Sequence, residues 1–323
     1  MFLRLAALLF FSLVLSACDQ SARTLALPAD FYPSALAIDP VHGRYLVGSF
    51  HNGEVAVLDR TGRRLGTLRK PAPGERVLRL RVEGRTLWVA LPRTIEAIDL
   101  DDPQRPRAVY RLQASVHYAD MAIAGDRIYL LDAREGQVYA LDHAQRVAYR
   151  YAALPERAAR PQPAACLLSD ETAEPAGALL LTPQRDALLI ALNGALYRLD
   201  LVSRRIEAVR MHLPMTHVSQ LLYRGLHAGR HEVVAIRGMA ARTTHLRLDA
   251  SFRRVLAQES FRVASAAPMA AAADGARLRL VLGSLRHHPL HCGDGRPNTA
   301  IRLVSYPSDK TAEAWRLAAA RDE

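Results

Sequence analysis

Lysine is almost missing from this chain: of its 43 basic residues only Lys70 and Lys310 are lysines, and the rest are arginines. Cysteine is as sparse, at Cys18, Cys166 and Cys292, and tryptophan stands only at Trp88 and Trp315. Helical periodicity is nearly absent before the C-terminal tail, which argues for an all-β architecture. Long apolar runs are absent too, with one exception near the N-terminus. A formal net charge of +11 raises nucleic acid as a partner for a cytosolic protein, but the arginines are scattered rather than clustered. Arg79, Arg81, Arg85, Arg105, Arg107 and Arg111 mostly alternate with apolar residues, the pattern of solvated outer strand faces.

The single apolar run, Leu5 to Leu15, follows Arg4 and closes on Leu15-Ser16-Ala17-Cys18. A basic start, a short apolar stretch and small residues at its end mark an export segment. The run is too short and too lopsided to be read first as a spanning helix. It resembles a bacterial lipoprotein signal with its lipobox. That resemblance implies a signal peptide over 1–17, lipid (palmitate-type acyl chains) on Cys18, and a linker over 18–30 tethering a body to the membrane on the periplasmic side. An uncleaved anchor or an ordinary secretory signal is the alternative. Asp19 leans the localisation toward the inner membrane, by a sorting rule of enteric bacteria. Export removes nucleic acid as an expected partner and turns the arginines toward anionic headgroups or an acidic envelope protein.

What fills the rest of the chain is a repeat of three short apolar strands, the third ending in Leu-Asp or Ile-Asp. The first copy runs Leu36–Asp39, Arg44–Gly48 and Val55–Asp59; the second runs Leu78–Val82, Thr86–Ala90 and Ile95–Asp99. Four more follow, the weakest being Met269–Ala273, Leu278–Leu282 and Ala300–Ser305. Asp59, Asp99, Asp142, Asp200 and Asp249 lie 40, 43, 58 and 49 residues apart. That period, built from short strands, indicates a β-propeller of four-stranded blades. The expected fold is a six-bladed propeller over 31–306, with seven blades as the alternative, and a tail over 307–323 that reads as a short helix or a frayed end.

The opening repeat, from Phe31-Tyr32-Pro33-Ser34 through Tyr45-Leu46-Val47-Gly48-Ser49 to Gly53-Glu54-Val55, resembles the gluconolactonase and senescence-marker (regucalcin-like) propellers, and is also similar to YVTN-type repeats. The enzymes of that superfamily bind a divalent cation at the channel mouth through a glutamate, an asparagine and an aspartate. Here Ser34 stands where the glutamate is expected, Pro175-Ala176-Gly177-Ala178 lacks the asparagine, and Val218-Ser219-Gln220 and Ala267-Pro268-Met269 lack the aspartate. The resemblance therefore implies fold and not lactonase chemistry.

Aligning the inner strands places Tyr32, Gly74, His117, Pro175 and His217 at equivalent positions near one mouth, with Asp120 and Gln220 one step in. Tyr32, His117, Asp120, His217 and Gln220 form a candidate pocket for a ligand or metal, with chance polar residues at a solvated rim as the plain alternative. The run His287-His288-Pro289-Leu290-His291-Cys292-Gly293-Asp294 is rich in metal-ligand types but reads as a surface loop. With Cys18 lipidated, Cys166 and Cys292 remain, and an even pair in an oxidising compartment suggests a disulfide joining two long loops on one face. With only Trp88 and Trp315 and no tryptophan-docking repeats, the chain argues against a quinone-cofactor dehydrogenase.

The reading is a membrane-anchored binding or scaffolding module with no cofactor expected and an envelope protein as partner. A divergent, divalent-cation-dependent lactonase-like hydrolase is the alternative.

Overall fold

The computed structural model describes residues 23–104, 108–112, 118–144, 146–155, 176–263, 267–274, 277–283 and 301–307. Six four-stranded antiparallel sheets are arranged as a β-propeller. A two-residue strand, β1 (Arg23–Thr24), precedes the first blade, which is β2 (Pro33–Asp39), β3 (Arg44–Ser49), β4 (Val55–Leu58) and β5 (Arg64–Arg69). Blade 2 is β6 (Arg79–Glu83), β7 (Thr86–Ala90), β8 (Thr94–Asp99) and β9 (Ala108–Arg111); blade 3 is β10 (Tyr118–Ala124), β11 (Arg127–Asp132), β12 (Gln137–Asp142) and β13 (Ala148–Ala153). Blade 4 is β14 (Gly177–Leu181), β15 (Ala187–Leu192), β16 (Ala195–Asp200) and β17 (Ile206–Ala208); blade 5 is β18 (Gln220–His227), β19 (Arg230–Arg237), β20 (Arg242–Leu248) and β21 (Val255–Arg262). Blade 6 takes β22 (Ala267–Asp274), β23 (Arg277–Gly283) and β24 (Arg302–Pro307) from its own repeat, and β1 as its outer strand.

That last pairing, Arg23 with Leu303 and Thr24 with Arg302, closes the ring with chain from its opposite end. Part of the segment expected as a linker over 18–30 thus belongs to a blade. The first residue of each blade's innermost strand lies on what is called here the upper face, and its last residue on the lower face.

Each blade is covered by a neighbour on both sides, so its middle strands are buried on both faces and read as unbroken apolar runs. All of Ala187–Leu192 is buried, as is Val55–Leu58. The core is six seams, one between each neighbouring pair of blades. Leu46, Val57, Leu80, Leu87 and Ile98 fill the seam of blades 1 and 2, and Leu131, Val138, Leu188, Ile190 and Leu199 that of blades 3 and 4. At Gly48 a Cβ would collide with the Val77 side chain, so only glycine lets these two blades approach. The Ser34 hydroxyl donates to Val77 O at 2.5 Å, and Val77 N donates to Ser49 O at 2.8 Å, knitting the same seam.

Candidate functional site

The equivalence of Tyr32, Gly74 and His217 is real, and its cause is the backbone. All three have positive φ, at 46°, 76° and 58°, four residues before the aligned positions Leu36, Leu78 and Leu221. The connection into each of these innermost strands makes the same left-handed turn, which glycine adopts freely and other residues adopt under strain. Tyr32 is buried among Phe50, Leu78 and Trp88, its ring 6.0 Å from that of His51. His217 is half-buried on the upper face.

One step in, Asp120 and Gln220 are only 2% and 7% exposed. Asp120 Oδ1 accepts from its own strand at Met121 N (2.8 Å), and Oδ2 accepts from Leu179 N of blade 4 at 2.9 Å. Gln220 uses both ends of its amide on one residue of blade 6, donating to Ala271 O at 2.8 Å and accepting from Ala271 N at 3.0 Å. These bonds tie blade 3 to blade 4 and blade 5 to blade 6 at matching depths.

Asp120 also carries two ion pairs, to Arg81 Nη2 at 2.9 Å and Arg79 Nε at 3.2 Å. Both arginines come from β6, the innermost strand of blade 2. This corrects the expectation that they coat a solvated outer face, because alternation along a strand does not reveal which edge of the blade that strand occupies. Arg79 Nη2 goes on to donate to Ser219 O at 2.7 Å, so its side chain crosses from blade 2 to blade 5 beside the axis. The upper half of the channel is therefore occupied by structural ion pairs.

Below this plug lies an axial cavity of about 360 Å³, lined from all six blades, with Leu36, Leu80, Ile123, Leu179 and Leu222 among its walls. Its charged lining is Arg81, Glu83 and Arg185. Arg185 Nη2 donates to Glu83 Oε1 at 2.5 Å and to Ile123 O at 3.3 Å, so one side chain of blade 4 touches blades 2 and 3. Sequence reasoning missed Arg79, Arg81, Glu83 and Arg185. The available signal was the polar alternation of Arg79, Arg81 and Glu83 within an innermost strand, where polar groups face a channel.

The aspartates that define the repeat are turn residues. Asp59, Asp99, Asp142 and Asp200 each accept from the backbone N–H two positions on, at 2.8, 3.0, 2.8 and 3.1 Å. The Thr61 hydroxyl and backbone donors hold Asp59 down to about 2, and Ser203 does the same for Asp200. Among the described residues no group of three or more His, Cys, Asp or Glu side chains is placed to hold a metal ion. Cys18, His117, Cys166 and the run 287–294 with Cys292 lie outside the described residues, as does 308–323 of the expected tail.

No protein-family model matches the chain, and no characterised protein matches it in sequence. Solved structures do match. The major allergen Mala s 1 of Malassezia sympodialis aligns with a TM-score of 0.65 at 9% identity, over 90% of this chain and 98% of that one. Streptogramin B lyase aligns at 0.54 and 14% identity, covering 81% and 82%. The periplasmic gluconolactonase PpgL of Pseudomonas aeruginosa aligns at 0.52 and 13%, covering 72% and 70%. At such identities the likeness is one of fold, and the chain shares its propeller with these proteins.

Proposed function

We propose that the chain is an exported lipoprotein, tethered through Cys18 on the periplasmic side of the envelope, whose propeller serves as a binding or scaffolding module. The observation that carries this reading is the commitment of Asp120 and Gln220. A general base or metal ligand needs a lone pair aimed at open space. Both Asp120 oxygens instead accept backbone N–H groups and Asp120 faces two guanidiniums, while Gln220 is closed on Ala271. The fold likeness to a protein described as periplasmic supports the compartment. In this reading Cys166 and Cys292 form a bridge, and the partner is an envelope protein.

Three measurements on one preparation test it. Mass spectrometry of the N-terminal peptide should find acyl groups on Cys18. Lactone hydrolysis should be absent with and without added calcium or zinc, and Asp120→Asn should change nothing in that assay. Turnover that requires a stoichiometric metal and is lost in Asp120→Asn replaces the binding module with the lactonase-like hydrolase. An unmodified Cys18 removes the anchor.

A further inference from the structure

Three arginines stand directly opposite one another across blade 5, in one row at its upper edge. Arg237 ends β19 and pairs with Arg242, which opens β20 and pairs in turn with Arg262 at the end of β21. Directly paired residues of antiparallel strands share a face, so all three side chains leave the same side of the blade. Further down that face come Thr244 and Ser260, whose hydroxyls bond each other at 2.8 Å, and then Leu246, packed against blade 4. The arginines thus stand at the upper end of the seam between blades 4 and 5.

Like charges placed opposite each other weaken a sheet. Nothing of opposite sign offsets them here: among the described residues none of the three arginines pairs with a carboxylate. Arg237 is half-buried, and burial together with the facing charge of Arg242 holds its guanidinium below the ordinary arginine range.

Arg237 is also held in place. Its Nε donates to Thr216 O at 2.8 Å and its Nη2 to Thr216 Oγ1 at 3.1 Å, which fixes the plane of the guanidinium. Its Nη1 has no acceptor among the described residues. The loop that carries Thr216 is itself tied to β21, because Gln258 donates to Leu213 O at 3.1 Å and accepts from Leu213 N at 3.3 Å. A donor fixed in this way loses little freedom when an anion binds.

We propose that this row binds a phosphate monoester, whose oxygens bridge Arg237, Arg242 and Arg262. A phosphate monoester brings up to two charges and three strong acceptor oxygens, whereas a monocarboxylate serves a single guanidinium fork. The bound anion replaces repulsion along the row with attraction. The recognised group is the terminal phosphate, which a soluble ester such as glycerol 3-phosphate and a phosphatidate headgroup both carry. The site does not depend on lipid at Cys18.

The test is calorimetric titration of the full protein in phosphatidylcholine nanodiscs with glycerol 3-phosphate, with acetate, and with protein-free nanodiscs of phosphatidylcholine alone or containing phosphatidate. Glycerol 3-phosphate should bind and acetate should not. Arg242→Gln should weaken binding about tenfold, the size of one charge-assisted hydrogen bond, and Arg262→Gln should repeat the loss from the outer strand. Arg63→Gln, at a 76% exposed position in blade 1, should leave binding unchanged. With no ligand present, Arg242→Gln and Arg262→Gln should unfold at the wild-type temperature or above it, since each removes a repelled charge. Heat from phosphatidate discs without heat from glycerol 3-phosphate assigns the phosphate to a lipid headgroup, and heat from glycerol 3-phosphate assigns it to a soluble ester. Heat from neither, equal binding of acetate, or equal weakening by Arg242→Gln and Arg63→Gln overturns the proposal.

Discussion

Asp120 accepts a hydrogen bond from Leu179 N at 2.9 Å, joining the innermost strand of blade 3 to that of blade 4. The same carboxylate pairs with both Arg79 and Arg81 from blade 2, so a single side chain meets three blades. Asp120→Ala removes the partner of two guanidiniums and leaves the Leu179 N–H without its acceptor. Loss of one member of a buried pair costs about 3–5 kcal/mol, and urea denaturation should show that loss. Gln220→Ala removes only neutral bonds to Ala271 and should cost about 1–3 kcal/mol. Equal effects would mean that the charges at Asp120 do not matter.

His217 should behave differently. Its left-handed backbone is the conformation glycine prefers, and Gly74 occupies the equivalent place in blade 2. His217→Gly should therefore be neutral, or stabilising by up to about 1 kcal/mol, whereas His217→Val should destabilise. If glycine and valine behave alike, the turn is not what selects the residue.

These contrasts show what could be read in the sequence. The blades were legible because strands covered on both faces become apolar runs, as in Ala187–Leu192, and because Asp59, Asp99, Asp142 and Asp200 mark the turns after third strands. The register of Tyr32, Gly74 and His217 was legible too, but not its meaning: a shared turn and a shared ligand site leave the same spacing. Arg79 and Arg81 were placed on an outer face because period-two alternation is identical at the axis and at the rim. Arg23–Thr24 is too short to carry any period, so ring closure left no trace in the pattern.

The seam at Gly48 is sensitive to a single carbon. Gly48→Ala brings a Cβ into the Val77 side chain and should cost about 1–3 kcal/mol through overpacking. Adding Val77→Ala should recover part of the loss, so that the pair is less destabilised than the sum of the single changes. Strict additivity in the double-mutant cycle would place the strain elsewhere.

Acid should weaken the fold through a buried histidine before Asp59 and Asp200 contribute. Burial in blade 5 pushes the His245 imidazole down to about 4 from 6.5, and Arg224 and Arg247 add to the effect. Burial lowers His143 as well, stacked 4.8 Å from Trp88. With the folded pKa below the unfolded one, the unfolded chain takes up the proton first. Stability is full above pH 6.5, falls as pH drops through the window from 6.5 to 4, and has then lost up to about 3 kcal/mol at His245. Asp59 and Asp200, held at about 2, act in the same direction only below their unfolded value of 3.8. His245→Leu should flatten the slope of unfolding free energy between pH 6.5 and 4, and an unchanged slope would remove His245 as its source.

Ring closure also involves a buried side chain. Among the described residues of the N-terminal segment, Arg23 and Thr24 pair with β24, and the next residue, Leu25, is 3% exposed and packs with Phe31, Tyr45, Leu58, Ile301 and Leu303. Leu25 N donates to Ile301 O at 2.8 Å, and Ala26 N donates to Gly62 O at 3.1 Å, so the segment spans blades 6 and 1. The Leu25 side chain thus joins both blades at the closure. Leu25→Ala should cost about 2–5 kcal/mol by emptying a filled seam, while Thr24→Ala at an exposed position should cost under about 1 kcal/mol. Hydrogen exchange locates the effect: in Leu25→Ala the amides of β24 and β3 should lose protection ahead of those in blades 3 and 4, because opening starts where the ring was joined. Protection lost uniformly around the ring would mean that the propeller unfolds as one unit and that the closure is no weaker than any other seam.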